Sequence, residues 1–248
     1  MNLALDDILF QADQYECGLL PAPEPLTAPV GAALAGWLDQ SLLRPEATRA
    51  EVQSFCQDAR QYPFASVCVN PSYVPLAAKW MAGSQTRVCT VVAFPFGASL
   101  PELKAHETSN LIEQGATEID TVINIGALKG ADWSLAWEDV QAVVSAATGK
   151  ALVKVILETA LLTRREKIIG CLLAKFAGAN FVKTSTGFAA GGATVDDVRL
   201  MRGVVGVEMG VKASGGIRTL ENVQVMIAAG ASRIGTSAGV SILQGVAV

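Results

Sequence analysis

The feature that most constrains the fold of this chain is an eightfold alternation of short apolar runs with longer segments of helical periodicity, beginning near residue 31. Such alternation is typical of parallel strands joined by crossover helices. Eight such units within 248 residues match a closed (β/α)8 barrel, the TIM barrel. The predicted strands are 36–38, 65–69, 88–94, 118–123, 151–157, 180–183, 209–213 and 232–235. The predicted helices lie at about 48–61, 72–82, 99–114, 134–147, 164–177, 195–204, 219–229 and 237–243.

The main alternative fold is an open, doubly wound sheet. A dinucleotide-binding sheet of that kind carries a GxGxxG pattern after its first strand, and no such pattern follows the first apolar run here. Capping boxes, in which two residues satisfy the first free N–H groups of a helix, support the predicted helix starts. They are Thr48-x-x-Glu51, Ser99-x-x-Glu102 and Thr163-x-x-Glu166, with a weaker version at Thr194-x-x-Asp197.

The first 30 residues stand apart from this alternation. Residues 1–17 have weak helical periodicity, and a proline-rich stretch follows them. We interpret 1–30 as an N-terminal helical extension and arm, and 31–248 as one barrel domain. The arm either covers one end of the barrel or contacts another subunit, so a homodimer is an open alternative. The prolines of the arm are Pro21, Pro23, Pro25 and Pro29.

Composition narrows the class of protein. Hydrophobic residues make up 51% of the chain and charged residues 17%, which suits strands buried on both faces. The net charge of −4 argues against a nucleic-acid partner. Five scattered cysteines without a CxxC pair are typical of reduced thiols in the cytoplasm. No basic leader and no apolar run of about 20 residues is found, so we expect a soluble cytoplasmic protein without a membrane partner.

Three lysines lie within the apolar runs of the fifth, sixth and seventh predicted strands: Lys154, Lys183 and Lys212. A lysine in an apolar core is costly unless it is paired or used. Neighbouring barrel strands bring such side chains together, and ammonium groups that crowd together out of water have lowered pKa values. A neutral amine is the form that attacks a carbonyl to make a Schiff base. The alternative is three separate structural ion pairs, with Glu118, Asp120 and Glu158 as the partners.

Asp120 is a carboxylate inside the fourth apolar run, 118–123. A buried carboxylate must be paired or hydrogen-bonded, and a lysine across the barrel is the expected partner. In Schiff-base chemistry Asp120 would relay protons through water. A purely structural ion pair is the alternative.

Glycine-rich segments follow the seventh and eighth predicted strands. They contain Gly215 and Gly216, and then Gly235 and Ser237. Barrels often bind phosphate at this place, with backbone N–H groups and a short helix N-terminus as donors. Gly187, after the sixth strand, would add another donor. We therefore expect a phosphorylated small-molecule ligand.

Histidine and metal chemistry are not predicted. His106 is the single histidine and falls inside a predicted helix, where a surface position is expected. No residues have metal-ligand spacing, so we expect neither a metal nor another cofactor. We interpret Cys68 as a small apolar filler.

At these residues the sequence resembles the deoxyribose-phosphate aldolase family, the class I aldolases of deoxyribonucleoside breakdown. The matching stretches cover residues 36–240 in the order of the family. They are 38–48 (LDQSLLRPEAT), 66–71 (SVCVNP), 90–95 (TVVAFP), 118–120 (EID), 154–159 (KVILET), 183–188 (KTSTGF), 212–219 (KASGGIRT) and 233–237 (RIGTS).

The resemblance implies a role for each matching residue. Lys183 would be the Schiff-base lysine, Lys212 the second lysine, whose charge favours the neutral form of that amine, and Asp120 the acid/base that works through water. The family cleaves 2-deoxy-D-ribose 5-phosphate reversibly to D-glyceraldehyde 3-phosphate and acetaldehyde, without metal. The implied substrate- and phosphate-binding residues are Asp39, Ser41, Lys154, Thr186, Gly187, Gly215, Gly216, Gly235 and Ser237.

Two positions depart from the pattern of the family. Its usual Asp-His-Thr is Asp39-Gln40-Ser41 here, and its Phe-Pro-His-Gly is Phe94-Pro95-Phe96-Gly97. Both departures are expected near the open end of the sugar site. Two alternatives remain at this point, namely a Schiff-base aldolase for another phosphorylated sugar or aldehyde, and a non-catalytic sugar-phosphate-binding protein.

Overall fold

Eight parallel strands form a closed barrel, each paired with the next in the chain and the last with the first. The computed structural model describes residues 3–21 and 24–245. The predicted (β/α)8 barrel is thus confirmed, and the open sheet is wrong. The strands are β1 Leu38–Leu42, β2 Ser66–Val69, β3 Arg87–Val92, β4 Glu118–Val122, β5 Leu152–Ile156, β6 Phe181–Lys183, β7 Gly210–Ser214 and β8 Arg233–Thr236.

Helices connect the strands on the outside of the barrel. All eight predicted helices are present within two residues or so of their predicted bounds, and a short helix after β4 was not predicted. None of the described helices has the length and apolar character needed to cross a membrane. The helices are α1 Leu3–Gln14, α2 Arg49–Ala59, α3 Val74–Met81, α4 Pro101–Glu113, α5 Ile125–Lys129, α6 Trp133–Ala147, α7 Arg164–Phe176, α8 Val195–Val205, α9 Leu220–Ala228 and α10 Gly239–Leu243.

Two of the predicted capping boxes form, at Thr48 of α2 and Thr163 of α7. The weaker box at Thr194 also caps its helix, since the Thr194 side chain accepts a hydrogen bond from the N–H of Asp197. The box at Ser99 is wrong. Helix α4 begins at Pro101 without a side-chain cap, because proline at the first helical position already lacks the N–H that a cap would satisfy.

The first strand differs from its prediction. The apolar run 36–38 is mostly part of a 3-10 helix, Gly31–Trp37, and the strand follows it at Leu38–Leu42. Asp39 therefore lies inside β1, opposite Gly235 of β8, rather than after the strand.

The apolar core lies between the barrel and its helices. Successive side chains of a strand point to opposite faces, so one set packs outward against the helices, as Val67, Val153 and Val211 do. Inside the barrel the separate apolar cluster is small and built on Cys68, Cys89 and Val91. The rest of the described barrel interior is available for polar side chains.

The N-terminal extension packs on the helices of the barrel. Ile8 and Ala12 of α1 are fully buried in the main core, where α1 contacts α6 and α7. Arg165 of α7 forms ion pairs with Asp13 and Glu16, at 2.6 and 2.7 Å. The boundary at residue 30 stays a prediction. Pro23 of the predicted arm and residues 246–248 of the predicted domain lie outside the described residues.

Candidate active site

The three strand lysines converge on one carboxylate inside the barrel. Asp120 Oδ1 lies 2.8 Å from Lys154 Nζ, and Asp120 Oδ2 lies 2.8 Å from both Lys183 Nζ and Lys212 Nζ. The strand register explains this, since Asp120 pairs with Lys154 and Lys183 pairs with Lys212. The predicted convergence is confirmed, and the amines share a carboxylate instead of forming three separate ion pairs.

A second layer of charge supports this group from below. Asp39 Oδ2 lies 2.5 Å from Lys212 Nζ, while Asp39 Oδ1 accepts a hydrogen bond of 2.7 Å from Arg233. Glu118 lies 2.5 Å from Lys154 Nζ and 3.4 Å from Arg233. The Asp39 and Glu118 side chains are completely buried. The lysines are therefore held by carboxylates on β1 and β4.

The buried charges of this network do not balance when every group is ionised. Within the described barrel interior, four cationic side chains face three carboxylates, which leaves one surplus positive charge. Removal of one proton from one lysine balances the network. Burial of an uncompensated charge is unfavourable. The cations are Lys154, Lys183, Lys212 and Arg233, and the carboxylates are Asp39, Glu118 and Asp120.

Two of the lysines are held as ammonium groups, which corrects our expectation that crowding lowers their pKa values. Burial, the largest single effect, lowers the pKa of Lys212, but Asp120 and Asp39 outweigh it and hold that pKa above its ordinary value. Burial also acts to lower the pKa of Lys154, and Asp120 leads the groups that raise it well above normal. Opposite charges therefore dominate over the repulsion between ammonium groups.

Asp120 is ionised for the same reason. Its burial acts to raise the pKa of the carboxyl group, but Lys154, Lys183 and Lys212 together hold that pKa well below its usual range. Asp39 behaves alike, since Lys212, Lys154 and Arg233 overcome the effect of burial and lower its pKa. Asp120 is thus ionised in the resting site.

An open cavity of about 420 Å³ lies above the network, at the carboxyl ends of the strands. Lys183 and Lys212 lie at the bottom of the cavity, although their exposed fractions are only 3% and 1%. Among the predicted site residues, Asp39, Asp120 and Lys154 do not line it and lie buried beneath. The other predicted site residues that line it are Ser41, Thr186, Gly187, Gly215, Gly216, Gly235 and Ser237.

One wall of the cavity consists of the glycine-rich segments after β6, β7 and β8. Gly187, Gly215 and Gly216 have φ values of +88°, +90° and +80°, a conformation that glycine adopts without strain. Among the described hydrogen bonds, none comes from the N–H of Gly187 or Gly216. Arg218, which we did not predict, also lines this wall. The wall therefore offers backbone N–H groups and one guanidinium to an anion.

The segment after β6 is fixed by Glu158, which the prediction treated only as an ion-pair partner. Glu158 has a left-handed φ of +58° and is 2% exposed. Its carboxylate accepts hydrogen bonds from the N–H of Thr186, at 3.1 Å, and from the Thr186 hydroxyl. Strained backbone of this kind is concentrated at functional sites. Glu158 orients Thr186 and Gly187 toward the cavity.

The two departures from the family pattern lie in different surroundings. Phe96 is 77% exposed and lines a neighbouring cavity of about 310 Å³ together with Leu161 and Phe188. Gln40 is buried and does not line the substrate-sized cavity. The expectation that Gln40 lies at the open end of the sugar site is therefore wrong, because its side chain faces away from the cavity that Ser41 lines.

Donor atoms for a metal come together in space although the sequence has no such spacing. Cys68, Cys89 and Asp120 place their ligand atoms within 4.8 Å of one another. The Lys154 ammonium lies 2.8 Å from Asp120 Oδ1 and 3.4 Å from Cys89 Sγ, where it competes with any cation. His106 lies on α4 and is exposed, as predicted.

Arg233 and Glu118 are members of the network whose importance we did not predict. A signal for both was present in the sequence: Glu118 precedes Asp120 by two residues and Arg233 precedes Gly235 by two. Residues two apart on a strand face the same way, so each belongs inside the barrel if its partner does.

Comparisons with known proteins find relatives over most of the chain. The family model of the DeoC/LacD family aldolases matches residues 36–245. A deoxyribose-phosphate aldolase of Streptococcus gordonii is 57% identical over 209 residues, which are 84% of this chain and 94% of that protein. One from Geobacillus sp. is 56% identical over 212 residues, 86% of this chain and 95% of the relative.

Solved structures show the same fold over most of the chain. One from Coccidioides immitis has a TM-score of 0.90 and 39% identity, and the match covers 96% of each chain. A tetrameric deoxyribose phosphate aldolase from Aeropyrum pernix has a TM-score of 0.79 and 33% identity, with 86% of this chain and 90% of that chain covered.

Proposed function

Because the chain belongs to the DeoC/LacD family of aldolases, we propose that it cleaves 2-deoxy-D-ribose 5-phosphate reversibly to D-glyceraldehyde 3-phosphate and acetaldehyde. The chain is an enzyme of the lyase class. One observation carries the mechanistic part of the proposal: the Lys183 amine reaches the bottom of the cavity, 2.8 Å from Asp120. This arrangement supports class I chemistry, in which a lysine forms the Schiff base.

Lys183 is the best nucleophile of the three lysines. It contacts one carboxylate oxygen, Asp120 Oδ2, which it shares with Lys212. Lys212 has a further contact with Asp39 at 2.5 Å, and Lys154 is fully buried away from the cavity. Lys183 is therefore the amine that a carbonyl in the cavity can reach with the fewest carboxylate contacts to break.

The reaction follows from this choice. The Lys183 amine adds to the C1 carbonyl of the open-chain sugar, and loss of water gives an iminium ion. The C3 hydroxyl then loses its proton, the C2–C3 bond breaks, and its electron pair moves through C2 and C1 to the iminium nitrogen. Glyceraldehyde 3-phosphate leaves and an enamine remains on the lysine. Protonation of the enamine carbon and hydrolysis release acetaldehyde and restore Lys183.

Asp120 and Lys212 support these steps from the bottom of the cavity. Asp120 accepts and returns protons through water, starting from the ionised carboxylate of the resting enzyme. Lys212 remains an ammonium and offsets negative charge that develops beside it. The phosphate of the substrate binds at the glycine wall, near Gly216 and Ser237, with Arg218 as a charged partner.

Location and assembly are further parts of the proposal. Four of the five free cysteines are buried, which suits a reducing cytoplasm. Self-association through the N-terminal extension stays a prediction.

Acetaldehyde release from 2-deoxyribose 5-phosphate tests the function. We expect turnover by the wild type, none above background by Lys183→Ala, and full turnover by Lys150→Ala, which removes an exposed lysine far from the cavity. Faster cleavage of another sugar phosphate would replace the substrate and keep the chemistry. Binding of deoxyribose phosphate without acetaldehyde release would instead support a non-catalytic binding protein.

A further inference from the structure

One buried amide binds two backbone groups of the segment that follows β8. The Nε2 of Gln40 donates a hydrogen bond to the carbonyl oxygen of Ser237, at 3.2 Å. The Oε1 of Gln40 accepts a hydrogen bond from the N–H of Gly239, at 2.8 Å. Gln40 is 6% exposed. We call residues 237–239, which run from the end of β8 to the first residue of α10, the β8 loop. The two hydrogen bonds of the Gln40 amide thus attach this loop to β1.

The hydrogen bond between the Gly239 N–H and the Gln40 amide requires a glycine at position 239. A Cβ atom at Gly239 would lie 2.5 Å from Gln40 Oε1 and 3.0 Å from the ring of Phe64. Any larger residue at 239 would therefore displace the amide or the ring. The absence of a side chain at Gly239 lets the backbone approach Gln40 closely enough for the hydrogen bond.

The Ser237 carbonyl and the Gly239 N–H together require a side chain that offers one hydrogen-bond donor and one acceptor. A neutral amide supplies both. An apolar side chain of similar size supplies neither and leaves a buried N–H and a buried carbonyl unpaired, which is unfavourable. A carboxylate could still accept from Gly239 but would set a second oxygen against the Ser237 carbonyl.

The β8 loop belongs to the glycine wall of the cavity. Ser237 lines the cavity, whereas Gln40 does not. The hydroxyl of Thr236 donates to the carbonyl oxygen of Ile217, at 2.7 Å, and accepts from the N–H of Ala238, at 3.0 Å. The Thr236 hydroxyl therefore links the segments after β7 and β8 by hydrogen bonds, and the Gln40 amide links both segments to β1.

We propose that Gln40 is a positioning residue for phosphate recognition, holding the Ser237 N–H and hydroxyl of the β8 loop in place without touching the substrate. The proposal deepens the proposed function and rests on it, because that function makes this wall the phosphate site. An anion site built from backbone N–H groups depends on their fixed geometry. Release of the β8 loop should therefore weaken binding of the phosphate and leave the carbonyl chemistry at Lys183 intact.

The test compares Gln40→Leu and Gln40→Glu with the wild type. Calorimetry with inorganic phosphate should show a Kd about 10-fold higher in both variants, since a tenfold change corresponds to about 1.4 kcal/mol, the size of one hydrogen bond. The KM for 2-deoxyribose 5-phosphate should rise by about the same factor. Cleavage of unphosphorylated 2-deoxyribose should keep its kcat/KM. Gln57→Glu, an exposed position on α2, is the charge-matched control and should match the wild type in all three measurements.

Two results would overturn the proposal. One is an unchanged Kd for phosphate in Gln40→Leu, which would also show that any effect of Gln40→Glu is only charge repulsion. The other is an equal loss of activity with the unphosphorylated sugar, which would indicate general damage to the barrel. Thermal melting checks that each variant is folded. If Gln40→Leu does not fold, Gln40→Asn decides, because its shorter amide adds no charge and does not span both backbone groups. Absence of acetaldehyde release by the wild type would refute the proposed function, whereas the phosphate measurement tests Gln40 without turnover.

Discussion

Replacing Asp120 by asparagine tests how far one carboxylate organises the site. Among the described carboxylates, Asp120 contacts all three lysines, each at 2.8 Å. Asparagine keeps the volume of the side chain but removes the charge and turns an acceptor into a donor that faces an ammonium. Loss of one partner from a buried ion pair costs about 3–5 kcal/mol. We expect the free energy of unfolding to fall by about that amount and the melting temperature to fall by about 10 °C.

The catalytic effect of Asp120→Asn should exceed what lost stability explains. A positioned acid or base contributes about 10²–10⁴-fold to a reaction, so we expect kcat/KM for deoxyribose phosphate to fall by about 10³-fold. The assay is acetaldehyde release, measured well below the melting temperature of the variant. Urea unfolding measures the stability in parallel.

A matched control separates the two effects. Asp139 of α6 is also buried and lies 2.5 Å from Lys104 of α4, a lysine that is completely buried outside the barrel. Asp139→Asn should lose comparable stability but keep kcat. If Asp120→Asn retains kcat/KM within about threefold of the Asp139→Asn value, the assignment of Asp120 to proton transfer is wrong.

Three further predictions concern the charge balance of the network, its pH dependence and the backbone at Gly97. Lys154→Met should lower the free energy of unfolding by about 3–5 kcal/mol. Lys183→Met leaves three buried cationic side chains facing three buried carboxylates and should keep or raise that free energy. Urea titration of both variants checks this, and equal losses would contradict the charge balance. The pKa values of Asp39 and Asp120 are lowered in the folded chain, so the unfolded chain binds more protons. The contribution of these two carboxylates to stability is therefore complete above about pH 4 and is lost as the pH falls further. A free energy of unfolding that stays constant down to about pH 2 in urea titrations would refute this prediction. Gly97 has a φ of +70°, and in Gly97→Ala the new Cβ would collide with the backbone oxygen of Ile123. We therefore expect the free energy of unfolding to fall by about 2 kcal/mol or more. Thermal melting measures this, and an unchanged melting temperature would contradict it.

The fold could be predicted because its signals are local. The alternation of apolar runs and the caps at Thr48 and Thr163 depend on residues close together in the chain. The errors arose where a local pattern has two outcomes. An apolar run was taken as a strand although residues 31–37 form a 3-10 helix, and Ser99 matched a capping box although Pro101 already begins the helix.

The site could be predicted only in part. Lys154, Lys183 and Lys212 could be brought together because consecutive strands of a barrel are neighbours. The directions of the pKa shifts of Lys154 and Lys212 could not be predicted. They depend on the distances to carboxylates of β1 and β4, and only the strand register and the closure of the barrel set these distances. The outward orientation of Gln40 was missed for a related reason, since the start of β1 determines which residues face inward.

Borohydride trapping of the wild type with acetaldehyde tests the central claim most directly. We expect a single N-ethyl group on Lys183 after reduction, located by peptide mass spectrometry, together with loss of activity in proportion to the modification. Lys212 and Lys154, which carboxylates hold as ammonium groups, should stay unmodified. An N-ethyl group on Lys212 or Lys154 instead, or an active enzyme that is never trapped at Lys183, would contradict the account.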